Sequence, residues 1–163
     1  RGAHRFVTFY QRRVFAAIGR ILGPGTPRAQ VEELAQEAFL RAIRALPRFD
    51  PRGAAKPSTW MLPIATRVAL NERRRHPPQL DVLDEHHAVA AQPFEHADIK
   101  NAVERAAATL TAEQRAALVL RDVHGLTESE AAHALDLDVP ALKSRLFRAR
   151  ARLRRALCGE VHE

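Results

Sequence analysis

Basic side chains recur at helical spacing near the end of the chain, and these residues have the chemistry to bind DNA. Residues 139–157 contain one lysine, six arginines and no acidic residue. Five apolar side chains return every three or four positions and predict one buried stripe of a helix: Leu142, Leu146, Ala149, Leu153 and Leu157. The other faces are free to meet a phosphate backbone. An ordinary solvated helix or a coiled coil is the alternative, although isolated surface helices usually mix both charge signs.

A short capped helix and a tight turn precede this basic helix, and together they predict a helix-turn-helix. Offsets of three and four residues place four side chains on one face, opposite the apolar stripe: Lys143, Ser144, Phe147 and Arg148. Lysine and arginine can donate to guanine, serine can donate or accept, and phenylalanine can contact a thymine methyl. We therefore predict that these four residues read base edges, whereas Arg145 and Arg150 mainly contact phosphates.

Helices are also predicted for most of the remaining chain, because Ala, Leu, Arg and Glu dominate it and strand patterns are scarce. Pro63 predicts a kink or a later start in the third helix. Thr111 and Thr127 each begin a capping-box pattern. Apolar periodicity gives these approximate ranges for the first four helices: 4–22, 29–45, 58–75 and 98–109.

The chain divides at a segment that lacks helical periodicity. Residues 77–97 contain three prolines and a mixed polar stretch, which is typical of a linker. The sequence therefore predicts an all-α fold of two small helical domains, residues 1–76 and 98–163, joined by a flexible linker. We expect each domain to pack around its own core.

The composition limits the class of protein. Lysine and arginine number 26 against 19 acidic residues, and the net charge of +7 favours a polyanionic partner such as nucleic acid. The single cysteine excludes an internal disulfide and a cysteine zinc cluster. No apolar run approaches the ~20 residues of a membrane span. The first residues also lack the apolar core of a signal peptide, so we expect a cytoplasmic protein with no membrane insertion.

Catalytic and metal-binding patterns are absent from the sequence. No nucleophile–base set, phosphate-binding loop or carboxylate pair in a recognisable motif occurs. His86, His87 and His96 lack a convincing metal-ligand spacing. We therefore expect no enzyme, no cofactor and no metal site.

Two segments of the C-terminal half resemble region four of the extracytoplasmic-function (ECF) sigma factors, a group of the sigma-70 family. They are residues 110–132, LTAEQRAALVLRDVHGLTESEAA, and residues 139–153, VPALKSRLFRARARL. The resemblance implies that the helix-turn-helix reads the minus-thirty-five promoter element. Asp136 stands where the family usually has glycine, and Pro140 and Ala141 replace a common Gly-Thr pair. We expect the turn to survive, since Asp tolerates unusual backbone angles, and one phosphate contact to be lost with the hydroxyl.

The N-terminal half is similar to region two of the same family. Residues 33–42, ELAQEAFLRA, resemble the helix that docks on the β′ clamp of RNA polymerase. The resemblance implies polymerase-binding roles for its polar residues: Glu33, Gln36, Glu37, Arg41 and Arg44. An ordinary solvated face would show the same pattern, and only the resemblance favours docking.

Residues 49–53, 58–62 and 64–71 resemble the segment that opens DNA and reads the minus-ten element. Arg and Lys can hold the phosphates of melted DNA while polar groups bind an unstacked base. We predict phosphate contacts for Arg52, Lys56, Arg67 and Arg74, although a solvated helix end would explain Arg74 nearly as well. Asn71 is the candidate for a base contact. Trp60 we expect to pack in the core.

Taken as a member of this family, the chain is expected to bind RNA polymerase core, at the β′ clamp and the β flap, and to direct it to promoter DNA and help to open it. The resemblance also implies an anti-sigma factor as a partner, and no homo-oligomer is required. A stand-alone helix-turn-helix regulator remains the alternative, although the N-terminal half lacks the strand–helix alternation of a receiver domain. A helical enzyme or RNA-binding module is disfavoured, because aromatic residues make up only 6%.

Overall fold

The computed structural model of the chain describes residues 2–50, 52–53, 56–78 and 96–159. Most of the predicted linker, and with it the expectation of flexibility, lies outside these ranges. No strand occurs within them, which confirms the all-α prediction. The seven α-helices of the described part are α1 Gly2–Leu22, α2 Arg28–Ala45, α3 Pro57–Arg75, α4 His96–Ala108, α5 Ala112–Leu118, α6 Glu128–Ala134 and α7 Val139–Gly159.

The first three helices pack against one another as a bundle. Gly23 ends α1 in the left-handed region, at a φ of 93°, and its N–H donates to the Gly19 carbonyl. A short 3-10 helix, Leu46–Arg48, follows α2 directly. Trp60 lies between Phe6 and Phe49, with ring centroids 6.0 and 5.1 Å away, so its predicted packing role is confirmed.

The start of α3 differs from the expectation drawn from Pro63. The helix begins at Pro57 and continues through Pro63 to Arg75. Pro57 occupies the first turn, where a proline costs no hydrogen bond because that N–H has no helical partner. Of the two outcomes expected from Pro63, a kink or a later start, the later start is therefore wrong.

The second half begins with α4 and contains both predicted capping boxes. Thr111 accepts from the Gln114 N–H at 3.2 Å, and Thr127 accepts from the Glu130 N–H at 3.1 Å. In each capping box the side chain of the same glutamine or glutamate also accepts a hydrogen bond from the threonine N–H. A π-helical turn, Val119–Val123, continues α5 before the chain reaches α6. The capped α6, the turn and α7 form the predicted helix-turn-helix.

The two halves contact each other directly. Helix α5 packs on α1 and α3, and α6 packs on α3. Buried side chains from both halves, such as Ile18, Met61, Leu120 and Leu142, belong to one hydrophobic cluster. The halves therefore share one apolar cluster, because they bury apolar surface against each other, and that each half folds around its own core stays a prediction.

Candidate nucleic-acid interface

The four predicted base-reading residues lie together on the exposed face of α7. Lys143, Ser144, Phe147 and Arg148 line one shallow surface depression. The Phe147 side chain is 75% exposed, so its ring is accessible to a partner on this face. The opposite face buries Leu142, Leu146 and Ala149, which fixes the orientation of the helix. Leu153 and Leu157, farther along the stripe, are only partly buried.

The two predicted phosphate contacts of α7 have different surroundings. Arg145 is half-buried at the side of the helix. Arg150 donates two hydrogen bonds to the Asp122 carboxylate, at 2.6 and 3.1 Å, and this contact raises the pKa of Arg150. The π-helical turn carries Asp122, so the pair connects that turn to α7. Part of the Arg150 charge is thus already compensated within the protein, and its phosphate contact stays a prediction.

The departures from the family pattern leave the turn intact. Asp136 has a φ of 54° and is the one non-glycine residue with positive φ in the described part of the chain. This confirms that aspartate accepts the left-handed geometry expected of glycine. Asp138 then accepts from the Ala141 N–H at 2.8 Å and caps the start of α7.

On α3, spacing and structure bring together three of the predicted minus-ten residues. Arg67, Asn71 and Arg74 follow at offsets of four and three on one side of the helix. Arg74 donates to the Asn71 side-chain oxygen at 3.3 Å, which leaves the Asn71 amide nitrogen available as a donor. Arg52 and Lys56 lie outside this helical face, exposed in the segment before α3.

Arg67 also contacts the other half of the molecule. Its guanidinium lies 3.3 Å from the His133 carbonyl oxygen and 3.4 Å from the Asp136 carboxylate. These are long, exposed contacts and stabilise the arrangement little. The side chain is therefore able to exchange them for a phosphate.

The predicted docking face of α2 is exposed and contains an apolar residue that was not predicted. Glu33, Gln36 and Arg44 are exposed, while Glu37 and Arg41 form a half-buried ion pair. Leu40 lies among them and is 55% exposed. The sequence signal was its offset from the core stripe, since residues 33, 36, 40 and 44 return to one side of the helix.

Arg115 is a second residue whose role the sequence did not reveal. The side chain is 9% exposed, and it donates to the carbonyl oxygens of Ile21, Leu22 and Leu110 at 2.9, 3.2 and 2.7 Å. Burial, followed by the charge of Arg73, lowers the pKa of Arg115. The guanidinium of α5 thus satisfies the free carbonyls at the end of α1 and joins the two halves.

His124, which follows the π-helical turn, lies near the same junction. Burial lowers the pKa of His124, and the charges of Arg20 and Arg13 on α1 lower it further.

Comparison with known proteins accounts for both halves. The family model described as Sigma-70 region 2 matches residues 6–77, and the one described as Sigma-70, region 4 matches residues 100–153. The chain is 32% identical over 163 residues to the ECF RNA polymerase sigma-E factor of Escherichia coli (strain K12), a match that covers 88% of this chain and 80% of the relative.

Solved structures share the arrangement of helices. CnrH in complex with the cytosolic domain of CnrY aligns with a TM-score of 0.64 at 25% identity, over 96% of this chain and 88% of that one. The sigma factor RpoE in complex with the anti-sigma factor NepR from Bartonella quintana aligns with a TM-score of 0.67 at 21% identity, over 94% and 95%. The second likeness shows the fold alone.

The two family matches and the sigma-E relative, together with the paired helical domains, show that the chain is a transcription initiation factor, a class of proteins that are not enzymes. The chain belongs to the sigma-70 family and to its ECF group, and it is a sigma factor that directs RNA polymerase to promoters. Among the described residues, no helix is both long and apolar enough to cross a membrane.

Proposed function

We propose that the chain binds RNA polymerase core through α2 and the second half, reads the minus-thirty-five element with α7, and reads and opens the minus-ten element with α3 and the segment before it. The observation that carries the proposal is the exposed set Lys143, Ser144, Phe147 and Arg148 on α7. Their side chains have the chemistry to bind base edges, and the opposite face of the helix is buried. The contacts with core are assigned to the β′ clamp for α2 and to the β flap for the second half, by resemblance. Since polymerase and chromosome share the bacterial cytoplasm, we place the protein there.

The docking assignment predicts a strong effect for Leu40. Leu40 is the apolar residue of an otherwise polar face, and docking against core would remove its exposed apolar area from water. We expect Leu40→Ser to weaken binding to core polymerase by roughly tenfold, while the folded chain keeps its stability because the side chain is already 55% exposed. Titration of labelled protein with core polymerase measures the affinity.

Phe9→Ser is the matched control, because Phe9 is also an exposed apolar residue, 67% accessible, and lies on α1, outside the surfaces assigned to core. Its affinity for core should equal that of the unmodified chain. An unchanged affinity of Leu40→Ser would show that α2 docks through another face or not at all.

The melting assignment predicts that Asn71→Ala impairs strand opening without affecting core binding. The Asn71 amide nitrogen is the donor left free by Arg74, and losing one hydrogen bond to an unstacked base should reduce the open complex roughly fivefold. Permanganate reactivity of thymines in the minus-ten element reports the opening. Asn101→Ala, an exposed asparagine on α4, is the control, and normal thymine reactivity of Asn71→Ala would move the melting site elsewhere.

We further propose an anti-sigma factor that covers the polymerase- and DNA-binding faces. Its support is the resemblance to a group in which such inhibitors are usual, together with exposed apolar residues on both halves, among them Leu40, Ile99 and Val103. Co-purification from the native host should recover an inhibitory protein that competes with core polymerase. A chain that is active at all times and never bound to an inhibitor would contradict this proposal.

A further inference from the structure

We propose that Glu128 is a specificity-determining residue of the helix-turn-helix, because its carboxylate positions the Lys143 ammonium on the base-reading face. This inference deepens the proposed function and rests on it. Glu128 lies in the first turn of α6, and its Oε2 atom is 3.2 Å from Lys143 Nζ. The ion pair therefore joins the first helix of the motif to a residue that reads DNA.

The two acidic residues in the first turn of α6 have different tasks. Glu130 closes the capping box, since its carboxylate accepts from the Thr127 N–H at 2.8 Å. Glu128 takes no part in that box, and its carboxylate reaches α7 instead. Residues 139–157 contain no acidic residue, so the negative charge beside Lys143 comes from the neighbouring helix.

A carboxylate at this position lowers affinity for DNA in general. It repels phosphates, and it compensates a cation that would otherwise replace a counterion of the backbone. Both partners remain accessible, with Lys143 59% and Glu128 41% exposed, so DNA can compete for the ammonium. Because the Glu128 carboxylate weakens binding to every DNA sequence, it benefits promoter recognition only if it raises the preference for one sequence over the others.

The improvement in specificity follows from the geometry of the lysine. A free lysine ammonium on its flexible stem can reach phosphates and several base acceptors, so it discriminates weakly. Glu128 restricts the ammonium of Lys143 to one side of the recognition face. Leaving the carboxylate is then favourable where a base edge offers strong acceptors, as guanine does through O6 and N7, and unfavourable elsewhere. Glu128 thus acts through Lys143 as a positioning residue.

The test uses the full chain assembled with RNA polymerase core and a promoter library in which the minus-thirty-five element is randomised. We expect Glu128→Gln to reduce the preference at the base pair read by Lys143 by about fivefold. The substitution should also raise the affinity for non-specific DNA. The slope of the logarithm of this affinity against the logarithm of salt concentration (the salt slope) should become steeper by about one unit, because Lys143 gains a full effective charge. In a Lys143→Ala background, Glu128→Gln should leave the sequence preference unchanged.

Glu104→Gln is the matched control, because Glu104 forms another exposed lysine–glutamate pair, with Lys100 on α4 at 3.8 Å. It changes the net charge equally and should not alter the selected sequences. If Glu128→Gln selects the same minus-thirty-five sequences as the unmodified chain, or acts equally without Lys143, the inference is overturned. If the unmodified chain selects no promoters at all, the proposed function itself fails.

Discussion

Replacing Arg115 by methionine is expected to lower the free energy of unfolding of the full chain by about 3 to 5 kcal/mol. Methionine fills much of the same space but cannot donate. The carbonyl oxygens of Ile21 and Leu110 would then lose charge-assisted hydrogen bonds in a buried place, whereas the Leu22 oxygen keeps its bonds from Arg73. Each unsatisfied buried acceptor costs about 1–3 kcal/mol, and partial access of water to the junction keeps the sum below simple addition. Urea denaturation followed by circular dichroism measures the change.

Arg155→Met is the control for Arg115→Met, since Arg155 is exposed on α7 and the same substitution there removes no buried bond. Gly23 packs directly against the same guanidinium. A Cβ atom at Gly23 would lie 2.9 Å from the Arg115 guanidinium carbon, and the φ of 93° disfavours any side chain. Gly23→Ala should therefore also destabilise the chain. Equal stabilities of the Arg115 and Arg155 variants would show that the guanidinium does not hold the halves together.

The second large effect is expected at the recognition helix. Arg148→Ala should relax the preference at one or two base pairs of the minus-thirty-five element and cost about 1–3 kcal/mol of discrimination there. The physical reason is that an arginine guanidinium hydrogen-bonded to a base edge stabilises the complex with one sequence only. The surrounding phosphate contacts stabilise complexes with all sequences equally. A selection from randomised promoters by the reconstituted polymerase measures the base preference. Repeating the selection over a range of salt concentrations measures the phosphate contribution.

Arg145→Ala separates the two kinds of contact. If Arg145 binds a phosphate, its loss should weaken all sequences alike and lower the salt slope by about one unit. The selected sequences should stay the same. An Arg148→Ala protein that selects the original sequences would mean that α7 enters the groove in a different register.

Local patterns in the sequence were sufficient to predict the helices and the exposed face of α7. The capping boxes at Thr111 and Thr127 depend on residues three positions apart, and the exposed side of α7 follows from the period of its buried leucines. These features involve neighbours within one or two helical turns. Their geometry is therefore fixed before tertiary contacts are considered.

Contacts between distant elements could not be predicted in the same way. Arg115 resembles a solvated helix residue in the sequence, because its partners at the end of α1 lie 93 and 94 positions earlier. The Arg150–Asp122 ion pair depends on the π-helical turn, and no periodicity in the sequence predicts that turn. Leu40 has an apolar side chain typical of a core, and its offset from the core stripe of α2 was the one local sign of the exposure that the structure shows.

Run-off transcription with RNA polymerase core on a pool of promoter fragments, followed by sequencing of the transcript ends, tests the central claim most directly. The account predicts discrete start sites that require the chain, share a common minus-thirty-five and minus-ten sequence, and depend on both Arg148 and Asn71. Start sites no different from those of core polymerase alone would contradict it, even if the chain bound DNA by itself.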